Sequence, residues 1–266
     1  MTIPAPTQQQ QEAIDRATEH FRSDPGVIAL VLGGSLAHGF GSPASDVDVL
    51  VVVSDGEHAA RTAGGRTTFF DRDLCGYQGG YVDGKYLSPG SLAEIARRGS
   101  EPSRFAFQDA RILFSRDPSL ARLLEEIPRY PVAEKGARIA RFHAQLEAWT
   151  WYAGEAVKRD DPYLLATSVA RLTLFAGRMV LAHNELLFPF HKWFLRVLER
   201  APSQPAGLVE RIRSLVAAPT GAGVTAFAEH VRGFRSWETE PVPWPVRFIH
   251  DTELDWDHGG TAIEHI

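Results

Sequence analysis

Hydrophobic positions recur at two different periods along this chain, and the period changes near its middle. Ile14, Ala17 and Phe21 fall at three- and four-residue spacing, which predicts an amphipathic helix over about Thr7 to Arg22. Asp24-Pro25-Gly26 ends it. Val27 to Leu32 is a short β-branched and apolar run bounded by glycine, the pattern of a buried strand. Gly33-Gly34 breaks that run, and Ser35 to Phe40 reads as a short helix followed by a turn at Gly41 to Ala44. Asp46 to Val53 is a second strand whose later half is apolar on both faces, as in the centre of a sheet. Thr67 to Leu74 and Gly80 to Leu87 predict two more strands joined through Gly76-Tyr77-Gln78-Gly79. Ser91 to Arg98 and Leu120 to Glu126 read as helices.

From Val132 onward the helical period dominates. Ala133 to Arg159 is a long amphipathic stretch. Pro162 suits the first turn of the next helix, with Asp160 or Asp161 as its cap, and that helix runs to about Asn184. Shorter helices are expected around Phe190–Glu199, Gly207–Leu215 and Val224–Trp237, with an extended proline-rich tail from Glu240. The expected architecture is α+β: a small mixed sheet with flanking helices over residues 1–128, then an α-helical bundle over residues 129–266. The boundary falls near Pro128 to Val132.

Composition narrows the function. The 266 residues, 44% hydrophobic and 23% charged, suffice for a sizeable core and do not describe a disordered chain. A net charge of -5 with no Lys/Arg cluster argues against an extended nucleic-acid interface. Cys75 is the single cysteine, so no intrachain disulfide can form, which fits a reducing cytoplasm. MTIPAPTQQQQ lacks the basic and apolar regions of a signal peptide. No uninterrupted apolar run approaches the roughly 20 residues of a membrane span, so no membrane partner is expected.

The candidate chemistry lies in V-L-G-G-S-L-A-H-G-F-G-S-P-A-S-D-V-D-V-L-V-V-V, Val31 to Val53. Asp46 and Asp48 are two apart on a strand, so their carboxylates share a face while Val47 and Val49 point into the core. Two such anions repel unless a cation lies between them or one is protonated, and a hard divalent metal with oxygen ligands is the simplest solution. Glycine at Gly33-Gly34 lets a phosphate approach the backbone, and the Ser35 hydroxyl can donate to it. A helix starting at Ser35 would favour an anion at its N-terminus. A phosphate-binding turn beside a carboxylate pair is the equipment for moving a nucleotidyl group.

These residues resemble the signature of the DNA polymerase beta-like nucleotidyltransferase superfamily, a Gly-Ser turn followed after about ten residues by Asp-x-Asp in an apolar strand. Gly34-Ser35 and Asp46-Val47-Asp48 match it, with Gly39 and Ser45 also at familiar places. Phe188 to Phe194, F-P-F-H-K-W-F, is similar to the helical region behind such domains in DUF4037-type proteins, and the layout resembles aminoglycoside nucleotidyltransferases. His38 stands where many members carry arginine. The resemblance implies Mg²⁺, one or two ions, with an NTP as co-substrate and an unidentified acceptor. It implies a third carboxylate on a neighbouring strand that binds metal or takes the acceptor's proton. Asp83 is the choice, with Asp71 and Asp73 as rivals. Ser45 and Lys85 join Gly34 and Ser35 as candidate nucleotide contacts. The expected function is transfer of an NMP group to a hydroxyl, with an aminoglycoside-like small molecule as the expected acceptor. The alternative is an antitoxin-type or regulatory nucleotide-binding protein acting on a protein or RNA.

Other motifs carry less. Gly39 to Ala44 fits G-x-G-x-x-A but precedes a strand instead of following one. Gly34 to Gly39 has the spacing of a P-loop, with Phe40-Gly41 where Lys-Ser/Thr is required. R-x4-H, the spacing of a ribonuclease motif, occurs twice, at Arg138/His143 and Arg178/His183, and reads as ordinary helix-face chemistry. Trp149, Trp151, Tyr152 and Glu155, with Glu147 nearby, read as core packing with an acidic face, or alternatively as an aromatic pocket for a cationic or sugar-like acceptor. Lys192-Trp193 reads as a helix start.

Overall fold

The structure, a computed structural model, describes residues 5–257 and 259–266. Residues 1–4, part of the segment read above for a signal peptide, lie outside the described residues. By its contacts the chain divides into two compact units, the second spanning Tyr130–Ile266.

The first unit runs α1 (Gln8–Ser23), β1 (Val27–Leu32), α2 (Gly34–Ala37), β2 (Val47–Val53), α3 (Asp55–Ala63), β3 (Thr68–Asp71), β4 (Val82–Leu87), α4 (Pro89–Arg98), α5 (Glu101–Phe105), β5 (Arg111–Ser115) and α6 (Leu120–Glu126). The strands form one mixed sheet in the order β3-β4-β2-β1-β5. Only β2 and β4 run parallel, with Asp48 opposite Asp83. β1 is antiparallel to both β2 and β5, and β3 is antiparallel to β4.

Strand alternation distributes the side chains between two faces. Val47, Val49, Val51 and Val53 pack with Ile14, Ala17 and Phe21 of α1. Leu50 and Val52 pack on the other face with Leu92, Leu120, Leu124 and Ile127. Each such side chain contributes roughly 1.5–3 kcal/mol of burial, so β2 is anchored from both sides. Asp48 belongs by alternation to the Leu50 face, near the start of the strand, and is half-buried.

The predicted strands appear where the pattern placed them, with β3 shorter than expected. Three elements had no sequence expectation. α3 buries none of its residues, and β5 is an edge strand with one buried residue, Phe114, so neither writes a strong period. α5 is held by Arg104, whose guanidinium donates to the carbonyls of Ala96, Gly99 and Ile127. The expected helix from Ser35 to Phe40 is a single turn instead, starting at Gly34 and followed by Gly39 at φ 69°. A turn that short offers no helix dipole to an anion.

The second unit contains α7 (Lys135–Arg159), α8 (Pro162–His183), α9 (Phe194–Leu198), α10 (Leu208–Ala217), α11 (Gly221–Arg232) and α12 (Trp244–Thr252). Asp161 caps α8 through Leu164 N at 2.9 Å, while Asp160 takes the left-handed position that closes α7. α12 corrects the expectation of an extended tail: Pro245 sits in its first turn, where proline starts a helix instead of breaking one. α12 is tied to α7 by Asp251, which is 3% exposed and accepts from Arg141 at 2.7 Å and Arg247 at 2.8 Å. α8 is long and apolar enough, by length and composition, to cross a membrane, but 67% of its apolar window is buried within the protein.

Candidate active site

The C-terminal end of β1 meets the N-terminal ends of β2 and β4. Gly33 N donates to Asp48 O at 3.0 Å, which closes the chain back on β2 directly after β1. Gly34 follows with φ 61°, a conformation that side-chain-bearing residues rarely adopt. A Cβ on Gly34 would lie 1.7 Å from Asp48 Oδ2. The glycine of the Gly-Ser pair is therefore required twice, by its backbone angle and by the carboxylate packed against it. Ser35 is 4% exposed, and its Oγ has no hydrogen-bond partner among the described residues.

Asp46, Asp48 and Asp83 each place a carboxylate oxygen within 4.8 Å of the others. The parallel register carries the third member to the pair, because Asp83 lies directly opposite Asp48. Gly84 permits the close pairing: a Cβ there would meet Val49 O at 1.9 Å. Asp71 and Asp73 are not part of this group. Asp71 Oδ1 accepts from Asp73 N at 2.7 Å and shapes the turn after β3. Three carboxylates this close repel one another strongly. Their all-oxygen donor set could hold a hard divalent cation, and the unpartnered Ser35 Oγ lies next in sequence to the glycine that Asp48 packs against.

Tyr81 was missed by the sequence reading. Val47 N donates to Tyr81 O at 3.1 Å, so the β2–β4 register continues one step and sets Tyr81 beside Asp46, on the face of Asp48 and Asp83. A hydrogen bond to the Asp46 carboxylate, and then that carboxylate's charge, hold the Tyr81 phenol up to about 12. Gln10 and Tyr77 were also missed. Gln10, 2% exposed, donates to Ser42 O at 2.8 Å and Ser45 O at 3.1 Å, and the Tyr77 hydroxyl donates to Ser45 O at 2.8 Å. Together they fix the loop that delivers Asp46. The available signals were a capping box formed by Thr7 and Gln10, hidden in a glutamine run, and a tyrosine two positions before an aspartate.

The remaining candidates fall out as follows. Ser45 Oγ accepts from Ser42 N at 2.9 Å, so its hydroxyl holds the loop. Lys85 is exposed on β4, two residues beyond Asp83 and on the same face. His38 is 5% exposed, with its ring 4.7 Å from that of Phe105. In the helical unit, Arg178 lies over the rings of Phe142 and Phe188 at 4.6 Å, and His183 Nε2 bonds Ser203 Oγ at 3.1 Å. Arg138 pairs with Glu134 at 2.7 Å, and His143 lies 3.6 Å from Glu147. Trp149 and Tyr152 pack on Phe248, with ring centroids 5.8 and 5.7 Å away. Glu147 is held by Arg232, and Glu155 by Lys158 and Arg159. These residues are occupied by packing and ion pairs.

The geometry is that of a glycine turn with an unpartnered hydroxyl beside a cluster of three carboxylates. Residues 14–87 match the family model described as a nucleotidyltransferase domain, a span that holds Gly34, Ser35, Asp46, Asp48 and Asp83. The match is to a nucleotidyltransferase domain over this stretch of the chain, in keeping with the resemblance that the Gly34-Ser35 and Asp46-Val47-Asp48 motifs carry. Among solved structures, a nucleotidyltransferase-like protein from Exiguobacterium sibiricum is similar at 11% identity and a TM-score of 0.47, over 94% of this chain and 79% of that one. A search of curated proteins finds no match.

Proposed function

We propose that the protein transfers a nucleoside monophosphate from an NTP to an acceptor hydroxyl in a reaction that requires a divalent metal. The observation that carries this reading is the convergence of Asp46, Asp48 and Asp83 within 4.8 Å beside the Gly34-Ser35 turn. The three carboxylates would hold one or two Mg²⁺ ions. Bound there, the metal supplies Lewis-acid polarisation of the phosphate and neutralises charge on the departing pyrophosphate.

The chain's own residues supply positioning and proton transfer. The Gly34-Ser35 turn receives the outer phosphates of the NTP, with Ser35 Oγ as donor. Asp83 accepts the acceptor's proton, so that the acceptor oxygen forms its bond to the α-phosphorus. The bond from that phosphorus to the pyrophosphate oxygen breaks, and its electron pair leaves with pyrophosphate. Lys85, exposed on β4 two residues beyond Asp83, is the candidate cation of this face. A small hydroxyl-bearing acceptor of aminoglycoside type is the reading preferred here, since the acidic balance disfavours long nucleic acid.

The direct test is turnover of each of the four NTPs, labelled in the α-phosphate, with Mg²⁺ and with or without a panel of hydroxyl-bearing antibiotics and cell extract. Label passing to an acceptor, lost on adding EDTA, supports the reading. Absence of metal-dependent turnover with all four NTPs refutes it.

A further inference from the structure

The carboxylate face of the sheet continues past Asp83 onto β3, where it changes from acidic to aromatic. Phe70 is the register partner of Asp83, so it stands on the same face as the carboxylates. Its neighbour Phe69 points the other way, against Phe21 of α1, with ring centroids 4.8 Å apart. Phe70 itself is 58% exposed, a costly position for a phenyl ring on an edge strand. It is also braced: the Tyr81 ring lies 5.0 Å from it at an interplanar angle of 34°. Arg72, itself exposed, rests its guanidinium 5.6 Å from the Phe70 ring.

The strand order gives this edge a role. Across the sheet run Phe70 on β3, Asp83 on β4, Asp46 and Asp48 at β2, and the Gly34-Ser35 turn after β1. In nucleotidyl transfer the entering oxygen and the leaving pyrophosphate lie roughly in line, on opposite sides of the phosphorus. With the outer phosphates at the β1 side of the carboxylates, the acceptor must enter from the β4–β3 side. The first surface it meets beyond Asp83 is Phe70.

We propose that Phe70, braced by Tyr81, is the platform that receives the acceptor, and that the acceptor is a hydroxylated ring of sugar type whose apolar C–H face lies on the phenyl. This assignment rests on the nucleotidyl-transfer reading. A ring stacked there turns its hydroxyl edge toward Asp83. Around Phe70 the carboxylates of Asp71 at the end of β3, Asp73 on the turn after it, and Asp83 opposite outnumber the cations Arg72 and Lys85, so the surroundings suit a neutral or cationic ring better than the phosphate backbone of RNA.

Saturation-transfer difference NMR on the whole chain tests this, with Mg²⁺, a non-hydrolysable ATP analogue and kanamycin A as the probe ring. Wild type is expected to transfer saturation to the ring C–H protons. Phe70→Ala is expected to weaken the probe by about ten-fold, the scale of one aromatic contact, while Phe70→Trp retains it. Thermal melts check each variant, and Phe70→Leu replaces Phe70→Ala if the latter unfolds, with the same expectation. No contact in wild type, unchanged affinity on loss of the aromatic ring, or displacement of kanamycin A by a short RNA would overturn the platform. NTP turnover is read separately. Turnover without ring binding refutes the platform alone, whereas Phe70-dependent ring binding without any metal-dependent turnover refutes nucleotidyl transfer.

Discussion

Gly34 and Asp48 compete for one volume: a methyl group on Gly34 would stand 1.7 Å from Asp48 Oδ2. The turn after β1 and the carboxylate on β2 are thus a single unit. Gly34→Ala forces a choice between moving the turn and moving the carboxylate. The left-handed angle alone costs about 1–2 kcal/mol with a side chain. Gly34→Ala is expected to remain folded with a lowered melting temperature and to lose on the order of 100-fold in Mg²⁺-dependent NTP turnover, because a shift of about 1 Å at a reacting centre has that scale. Circular-dichroism melts and turnover on one preparation check both parts.

Asp83→Asn separates binding from chemistry. The phosphate turn and the Asp46/Asp48 pair remain, so nucleotide affinity by calorimetry is expected to stay within a few-fold. Single-turnover transfer is expected to fall by on the order of 100-fold or more as the proton acceptor is removed. Normal transfer in this variant would contradict Asp83 as the proton acceptor.

The helical unit carries a buried anion whose partners are fixed. Asp251 joins α12 to α7 through Arg141 and Arg247. Asp251→Ala leaves two partly exposed guanidiniums without the carboxylate they share, and a loss of about 2 kcal/mol is expected, below that of a fully buried pair because water reaches both arginines. Denaturant unfolding measures it, and NTP affinity should not follow.

Acid should weaken the same unit. His143, His183, His191 and His265 are all held below the ordinary histidine value, in each case chiefly by burial. The unfolded chain then takes up protons before the folded one, so stability is full above about pH 6.5 and falls as pH drops toward the folded-state values. Melts between pH 7.5 and 5 are expected to show a steady loss, reduced in His143→Gln. A flat profile would contradict the burial of these rings.

Much of this was legible because the informative residues obey strong local rules. Alternation at Asp46-Val47-Asp48 assigned the faces of β2, and glycine after an apolar run marked the turn. Asp83 could only be ranked above Asp71 and Asp73, because strand register is set by pairing across β2 and β4 and leaves no local mark. α12 was hidden by proline, which starts a helix or stops one depending on a position that only the fold reveals. Gln10, Tyr77 and Tyr81 were invisible for a related reason. Each acts through a hydrogen bond to a residue 32 to 35 positions away.

The most direct measurement is Mg²⁺-dependent turnover of α-labelled NTP by wild type, Asp46→Asn and Asp48→Asn, with a thermal melt of each. Wild type is expected to release pyrophosphate only with the metal present. Both variants are expected to lose that activity while melting, without metal, at the wild-type temperature or above it, since removing one carboxylate relieves repulsion among three. Turnover retained in both variants, or wild-type turnover indifferent to the metal, would contradict a carboxylate-held metal as the centre of this site.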